Sequence, residues 1–173
     1  MSEAHTSNDL EEALWKSRCD TLFHVQVQLR YHRRRQRFFD LADKITKSVT
    51  IVIGATLLGQ ALKDSLTLLA SAITGLGLLA LVFGYGDRKQ QHKELAEQAA
   101  SLISTILKTP ASQLTEINVA DFAADRAILL SKSPPALKTL SVICEHEQAC
   151  ADGQPEHIDL PCACKRLIAD FVN

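Results

Sequence analysis

The stretch Ser48 to Gly86 constrains this chain more than any other. Fifteen residues without a formal charge, SVTIVIGATLLGQAL, lead to Lys63-Asp64, and twenty-two more, SLTLLASAITGLGLLALVFGYG, follow. A bilayer core is crossed by about 20 mostly apolar helical residues, with a range of about 17–25. The second run has that length by itself. The first reaches it by extending back through Lys47 and Lys44, whose long stems can carry their charges to the headgroups. The stretch reads as a transmembrane helical hairpin, residues 48–86, with a tight turn at Leu62–Ser65.

The competing reading is a buried hairpin inside a soluble helical bundle, which can also be apolar all round. Two features weigh against it. A soluble helix this long normally carries a polar stripe, whereas the second run holds only Ser65, Thr67, Ser71 and Thr74, all in its first half. Six of the seven glycines also fall here (Gly54, Gly59, Gly75, Gly77, Gly84, Gly86). Glycine is costly in a water-exposed helix, but in membrane helices small residues let backbones approach closely. The mean hydropathy of +0.01 is thus an average over one apolar block and two polar flanks.

The flanks are charged unequally. From Ala111 to Asn173 five Lys/Arg face nine Asp/Glu, so the C-terminal region is acidic by four, while the basic residues crowd beside the hairpin. The segment Arg30–Arg37 holds five arginines in eight residues (Arg30, Arg33, Arg34, Arg35, Arg37), and Arg88 and Lys89 stand just beyond the second run. Clustered arginines beside an aromatic residue suit nucleic-acid phosphates, which makes a soluble bundle binding nucleic acid a lesser alternative. A basic cluster within about 20 residues of a span more simply meets anionic headgroups and sets topology, so no nucleic acid is expected as a partner. With both flanks positive, the positive-inside rule puts both termini in the cytoplasm. Phe38, Phe39 and Tyr85 are placed to act as interfacial aromatic anchors.

Away from the hairpin the pattern is helical throughout, and the expected class is all-α. Residues 1–8 read as a disordered tip without the apolar core of a signal peptide. A capping-box-like start at Asn8 and Glu11 opens an amphipathic basic helix over 9–47, with Leu10, Leu14, Leu22, Val25, Leu29, Phe38, Leu41 and Ile45 at helical spacing. Gly and Pro are absent from it, so it either runs into the first span or kinks near Lys47. A juxtamembrane helix within 87–108 carries Leu95, Ala99, Leu102 and Ile106. The C-terminal region, 109–173, suggests a helix start at Thr109-Pro110 and a helix around Val119–Lys132 with Phe122, Ile128, Leu129 and Leu130 inside. A break at Ser133-Pro134-Pro135 precedes a helix over Ala136–Ala151 ending near Gly153, and a last helix spans Cys162–Val172.

Sites for chemistry are weakly marked. Cys144, His146, Cys150, His157, Cys162 and Cys164 make a Cys/His-rich tail, but C-x5-C and C-x-C are poor spacings for structural zinc, and no metal or other cofactor is expected. Adjacent residues of a helix such as Glu145, His146 and Glu147 diverge by about 100° and do not share a site. No phosphate loop, G-x-S-x-G or H-E-x-x-H occurs, and an enzyme is not expected.

The hairpin offers a better clue. Thr56 and Gln60 of the first run, and Thr67, Ser71 and Thr74 of the second, line up at helical spacing as pore-lining candidates. Uncharged hydroxyls and an amide can line a wet path, or can hydrogen-bond between tightly packed helices. The small residues Ala55, Gly59, Gly75, Ala80 and Gly84 suit close helix packing under either reading. Two spans cannot enclose a pore, so conduction requires a homo-oligomer.

A long helix ending in Leu29-Arg30-Tyr31-His32-Arg33-Arg34-Arg35, two close-set spans, an Arg88-Lys89-Gln90-Gln91-His92 exit and an immediate further helix resemble the bacterial SLATT-type proteins over about residues 10–108. The resemblance implies a small two-transmembrane effector of the inner membrane that forms pores or perturbs the bilayer in a defence system, triggered by a partner. It transfers no catalytic residue. A membrane-anchored adaptor, recruiting a cytoplasmic protein through its helices, is the alternative.

Overall fold

The computed structural model describes the backbone of residues 2–58, 71, 72, 74, 75, 77, 84–167, 169 and 170. Their regular structure is helical, with no strand among the described residues, so the chain is all-α. Most of the apolar stretch Ser48–Gly86, expected as a hairpin, lies outside the described residues, including Gln60, Thr67, Gly59 and Ala80. Among the described residues no helix is long and apolar enough to cross a membrane.

Helix α1 covers Ser2–Leu58 and passes Lys47 as regular helix. It also begins earlier than expected, replacing the disordered tip. Its composition explains the continuity: before Gly54 neither glycine nor proline interrupts the hydrogen-bond ladder. Helix α2 covers Tyr85–Lys108, beginning two residues before the 87–108 span expected for the juxtamembrane helix. Gly84 precedes it with φ +53, and its carbonyl accepts the Arg88 N–H at 3.1 Å. Gly84 is therefore the left-handed entry to α2, not a packing residue within a helix.

The C-terminal region differs from the sequence reading in its caps. Thr109-Pro110 starts no α-helix; Pro110 leads into a single 3-10 turn, Ala111–Gln113. Helix α3, Glu116–Lys132, begins instead at a reciprocal capping box between Thr115 and Asn118, which the sequence analysis missed. Ile128 and Leu130, expected inside α3, are exposed, while Val119, Phe122 and Leu129 are buried. Helix α4, Lys138–Ala151, ends in a Schellman arrangement: Gly153 has φ +79, its N–H bonds Cys150 O, and the Gln154 N–H bonds Ala149 O at 2.8 Å. The last helix, α5, covers Ala163–Leu167, and Ala169 and Asp170 lie in a turn; Ile168, Phe171 and Val172 of the expected Cys162–Val172 helix lie outside the described residues.

The chain divides into two compact units, Met1–Arg33 with Lys93–Asn173, and Arg34–His92. In the first, α1 is apolar on two sides. Val25, with Leu22 and Leu29, packs in a core with Leu95, Ala99, Leu102 and Ile106 of α2 and Phe122 and Leu129 of α3. Val27 and Tyr31, with Phe23, meet Leu140 and Cys144 of α4. Positions 25 and 27 stand about 200° apart on a helix, so one helix serves both clusters.

Polar side chains of α1 also complete the ends of its neighbours. Arg18 Nη2 donates to Ile106 O at 3.0 Å, one of the last four carbonyls of α2, which lack intrahelical partners. Ser133, the C-cap of α3, spends its hydroxyl proton on Leu129 O, so its oxygen accepts the Nε2–H of His32 at 3.2 Å. The Leu137 N–H at the head of α4 donates to Tyr31 Oη at 3.1 Å, and Arg30 Nε donates to Gln148 Oε1 at 2.7 Å.

Candidate functional site: a basic aromatic collar

The second unit contains the site. Phe39 of α1 is buried because α2 lays aromatic and cationic side chains around it. His92 stacks on its ring at 5.6 Å between centroids with 14° between planes, Tyr85 is tilted at 6.5 Å, and Phe38 meets it edge-on at 5.4 Å. Two guanidinium groups from different helices lie over the same ring, Arg35 at 4.6 Å and Arg88 at 5.9 Å from its centre. Arg35 also covers Phe38 at 5.0 Å. Cation–π attraction favours such placements, and arginine makes them through its flat face.

The charges are layered next to this stack. Asp40 accepts from Lys89 Nζ at 2.6 Å and from Lys44 Nζ at 2.7 Å, tying α1 to α2, and Asp43 pairs with Lys47 at 2.6 Å. The hydrogen bonds from Lys44 and Lys89 hold the Asp40 carboxyl down at about 2, and Asp40 in turn raises Lys89. Burial first, then Arg35 and Arg88, pushes His92 down to about 4, so it is neutral at pH 7.

Beyond the collar α1 changes character. Leu41, Ile45, Val49 and Val52 follow one another at intervals of four, four and three, on one face, and are exposed by 58, 54, 39 and 64 %. The hydroxyls between them are turned inward on the helix: Thr46 donates to Ala42 O and Thr50 to Thr46 O, both at 2.9 Å. Each hydroxyl donor is thereby satisfied without water.

The remaining sequence candidates scatter. Of the basic cluster, Arg35, Arg88 and Lys89 converge on the collar, and Arg34 is half-buried beside it in sequence. Arg37 and Arg33 are exposed, and Arg30 is spent within the first unit on Gln148. Ala55 and Thr56 lie on α1, while Ser71, Thr74 and Gly75 have helical backbone, the first two with exposed side chains. A side chain added at Gly75 would meet nothing within 4 Å, so no close packing occurs at that point among the described residues.

The Cys/His tail does not assemble. Cys144 is buried against Val27, Tyr31 and Leu140 as a small apolar residue. His146 Nδ1–H donates to Ile158 O at 2.8 Å, which leaves Nε2 to accept from the exposed Cys150 thiol at 3.4 Å, and Cys162 is exposed elsewhere. The side chains of His157 and Cys164 lie outside the described ones. Among the described residues no three metal-binding side chains converge.

Sequence reasoning missed Gln148, Asp40 and His92. Asp40 stands four residues before Lys44, a spacing that favours a pair on a helix, and this was the one signal available. Comparison of the chain with protein-family models, with curated proteins and with solved structures gives no match.

Proposed function

We propose that this chain is an oligomeric inner-membrane effector that forms pores or perturbs the bilayer. Ser48–Gly86 enters the membrane as a hairpin, the collar sits at the cytoplasmic headgroups, both termini are cytoplasmic, and the helices of the first unit receive the trigger. The observation that carries this reading is the change along α1: a stack of arginines, aromatics and ion pairs at positions 35–44 gives way to an exposed apolar face, Leu41 to Val52, which leads into the uncharged hairpin. Exposed apolar faces of this kind are unfavourable in water and favourable in lipid, and the inward-turned Thr46 and Thr50 hydroxyls suit the same surroundings. The SLATT resemblance supplies the effector role. In this reading the nucleic-acid alternative loses ground, since Arg30 is occupied by Gln148 and Arg35 by the aromatic stack.

Alkaline carbonate extraction followed by vesicle leakage tests the proposal. Retention in the pellet and dye release that is lost on replacing Thr56, Gln60, Ser71 and Thr74 with Leu support it; release into the supernatant refutes it. One observation favours the adaptor alternative. The first unit exposes Ile117 by 73 % and Leu107 by 58 %, with Trp15 and Leu10 about half exposed, apolar side chains that a protein partner could cover. A pelleted protein that leaks nothing, and is unaffected by the same substitutions, supports the adaptor.

A further inference from the structure

Helix α4 ends in a relay of side chains that the membrane reading leaves unused. His146 and Cys150 stand four residues apart on α4, so their side chains meet on one face. Beyond Ala151 the chain reverses at Gly153, φ +79, and the 3-10 turn Pro155–His157 brings Ile158 back to the helix. The Ile158 carbonyl lies 2.8 Å from His146 Nδ1. A carbonyl oxygen only accepts, so Nδ1 carries the hydrogen and Nε2 is left as the acceptor. Nε2 stands 3.4 Å from Cys150 Sγ and receives the thiol proton. Cys150 is exposed, while His146 is half-buried and held by the returning chain. A nucleophile, a base within its reach and a third group orienting that base are the arrangement that activates cysteine. Among the described residues Cys150 is the one exposed thiol bonded to an imidazole; Cys19 and Cys162 are exposed without such a partner.

We propose that Cys150 is a site of reversible modification by low-molecular-weight disulfides, with His146 as its base. Disulfide exchange needs a line of approach to the sulfur and an acceptor for its proton, and the relay supplies both; acyl transfer would also need donors for an oxyanion. As Cys150 Sγ attacks one sulfur of R–S–S–R, its proton passes to His146 Nε2. The S–S bond of the reagent breaks and a Cys150–S–S–R bond forms. The departing R–S⁻ takes the proton back from the imidazolium and leaves as R–SH. Cys150 is oxidised and the departing sulfur reduced, so no further oxidant is required. The Ile158 carbonyl holds Nδ1–H throughout and steadies the imidazolium while it lasts. The proposal is independent of the membrane reading, because Cys150, His146 and Ile158 all belong to the first unit.

The test is the initial rate of mixed-disulfide formation at each cysteine when the full chain meets cystamine at pH 7, read by acid quench and peptide mass spectrometry. An ordinary thiol is about 3 % ionised at pH 7, so complete proton removal gains at most about 30-fold. A stabilised thiolate is a weaker nucleophile, which brings the expected gain to about threefold or more. Cys150 in the folded chain is therefore expected to react at least about threefold faster than Cys19 and Cys162. In urea, where the four-residue spacing no longer joins the pair, the ratio falls to about one. His146→Gln, which cannot take up a proton, brings Cys150 down to the rate of the other two while Cys144 stays protected. A purely structural His146 predicts the opposite sign, since losing the Ile158 contact uncovers Cys150 and leaves its rate unchanged or raised. A folded ratio below about threefold, the same ratio in urea, or a ratio kept in His146→Gln with Cys144 spared overturns the proposal. If His146→Gln also labels Cys144, that variant has opened, and the comparison of folded with urea-treated wild type decides alone.

Discussion

Replacing Gln148 with Leu tests how the first unit is held together. Gln148 is 4 % exposed and its side chain bonds to three others. Its Oε1 accepts Arg30 Nε at 2.7 Å; its Nε2 donates to Gln26 Oε1 at 3.0 Å and to both Asp152 oxygens at 3.1 Å. The bond from a charged donor is worth about 1.5–3 kcal/mol and a neutral one about 0.5–1.5 kcal/mol. Asp152 is exposed and recovers water, and Leu adds some apolar burial, so the net loss is about 2–3 kcal/mol. Hydrogen exchange of the Leu140–Ala151 amides in the full chain reads this as a fall in protection of about 30- to 150-fold, at about 1.4 kcal/mol per tenfold. Gln148→Glu keeps the acceptor for Arg30 but sets a carboxylate against Asp152, and adding Asp152→Asn restores a donor and recovers at least half of the loss. Protection within about threefold of wild type in Gln148→Leu would show that apolar contact alone holds α4, and the reasoning fails.

Four further outcomes follow from the same geometry. His92 titrates near 4 when folded against 6.5 when unfolded, so the unfolded chain binds the extra proton between those values. Stability of the collar is therefore unaffected above pH 6.5 and falls by about 3 kcal/mol as the pH drops to 4, a dependence that a pH series of thermal melts records and His92→Phe abolishes. Phe39→Ala removes the ring that carries His92, Arg35 and Arg88 and destabilises the collar by about 3–5 kcal/mol, seen as accelerated exchange over residues 85–92. Thr115→Ala removes the cap of α3 and costs about 1 kcal/mol in chemical denaturation, whereas Thr109→Ala is near neutral. Under native conditions a thiol reagent modifies Cys19, Cys150 and Cys162 and spares Cys144, which peptide mass spectrometry resolves; early labelling of Cys144 would contradict its place under α1.

Periodicity and punctuation, which are local, determined a large part of this protein. The α2 stripe Leu95, Ala99, Leu102 and Ile106 is buried as its spacing required, Ser133-Pro134-Pro135 separates α3 from α4, and Gly153 closes α4 with the positive φ that only glycine takes cheaply. The all-α class and the apolar, uncharged runs between two basic flanks belong to the sequence as well. The tertiary structure decided what the polar residues do. Arg30, one of five clustered arginines, and Arg35, another, look alike in the chain; packing sends the first to Gln148, 118 positions away, and the second to the ring of Phe39. Likewise the stripe through Phe23, Val27 and Tyr31 became a second core face only because α4 returns to cover it. A helix determines its own faces through its 3.6-residue repeat, but which neighbour meets each face, and which donor finds which acceptor, depends on chain segments that no local pattern connects.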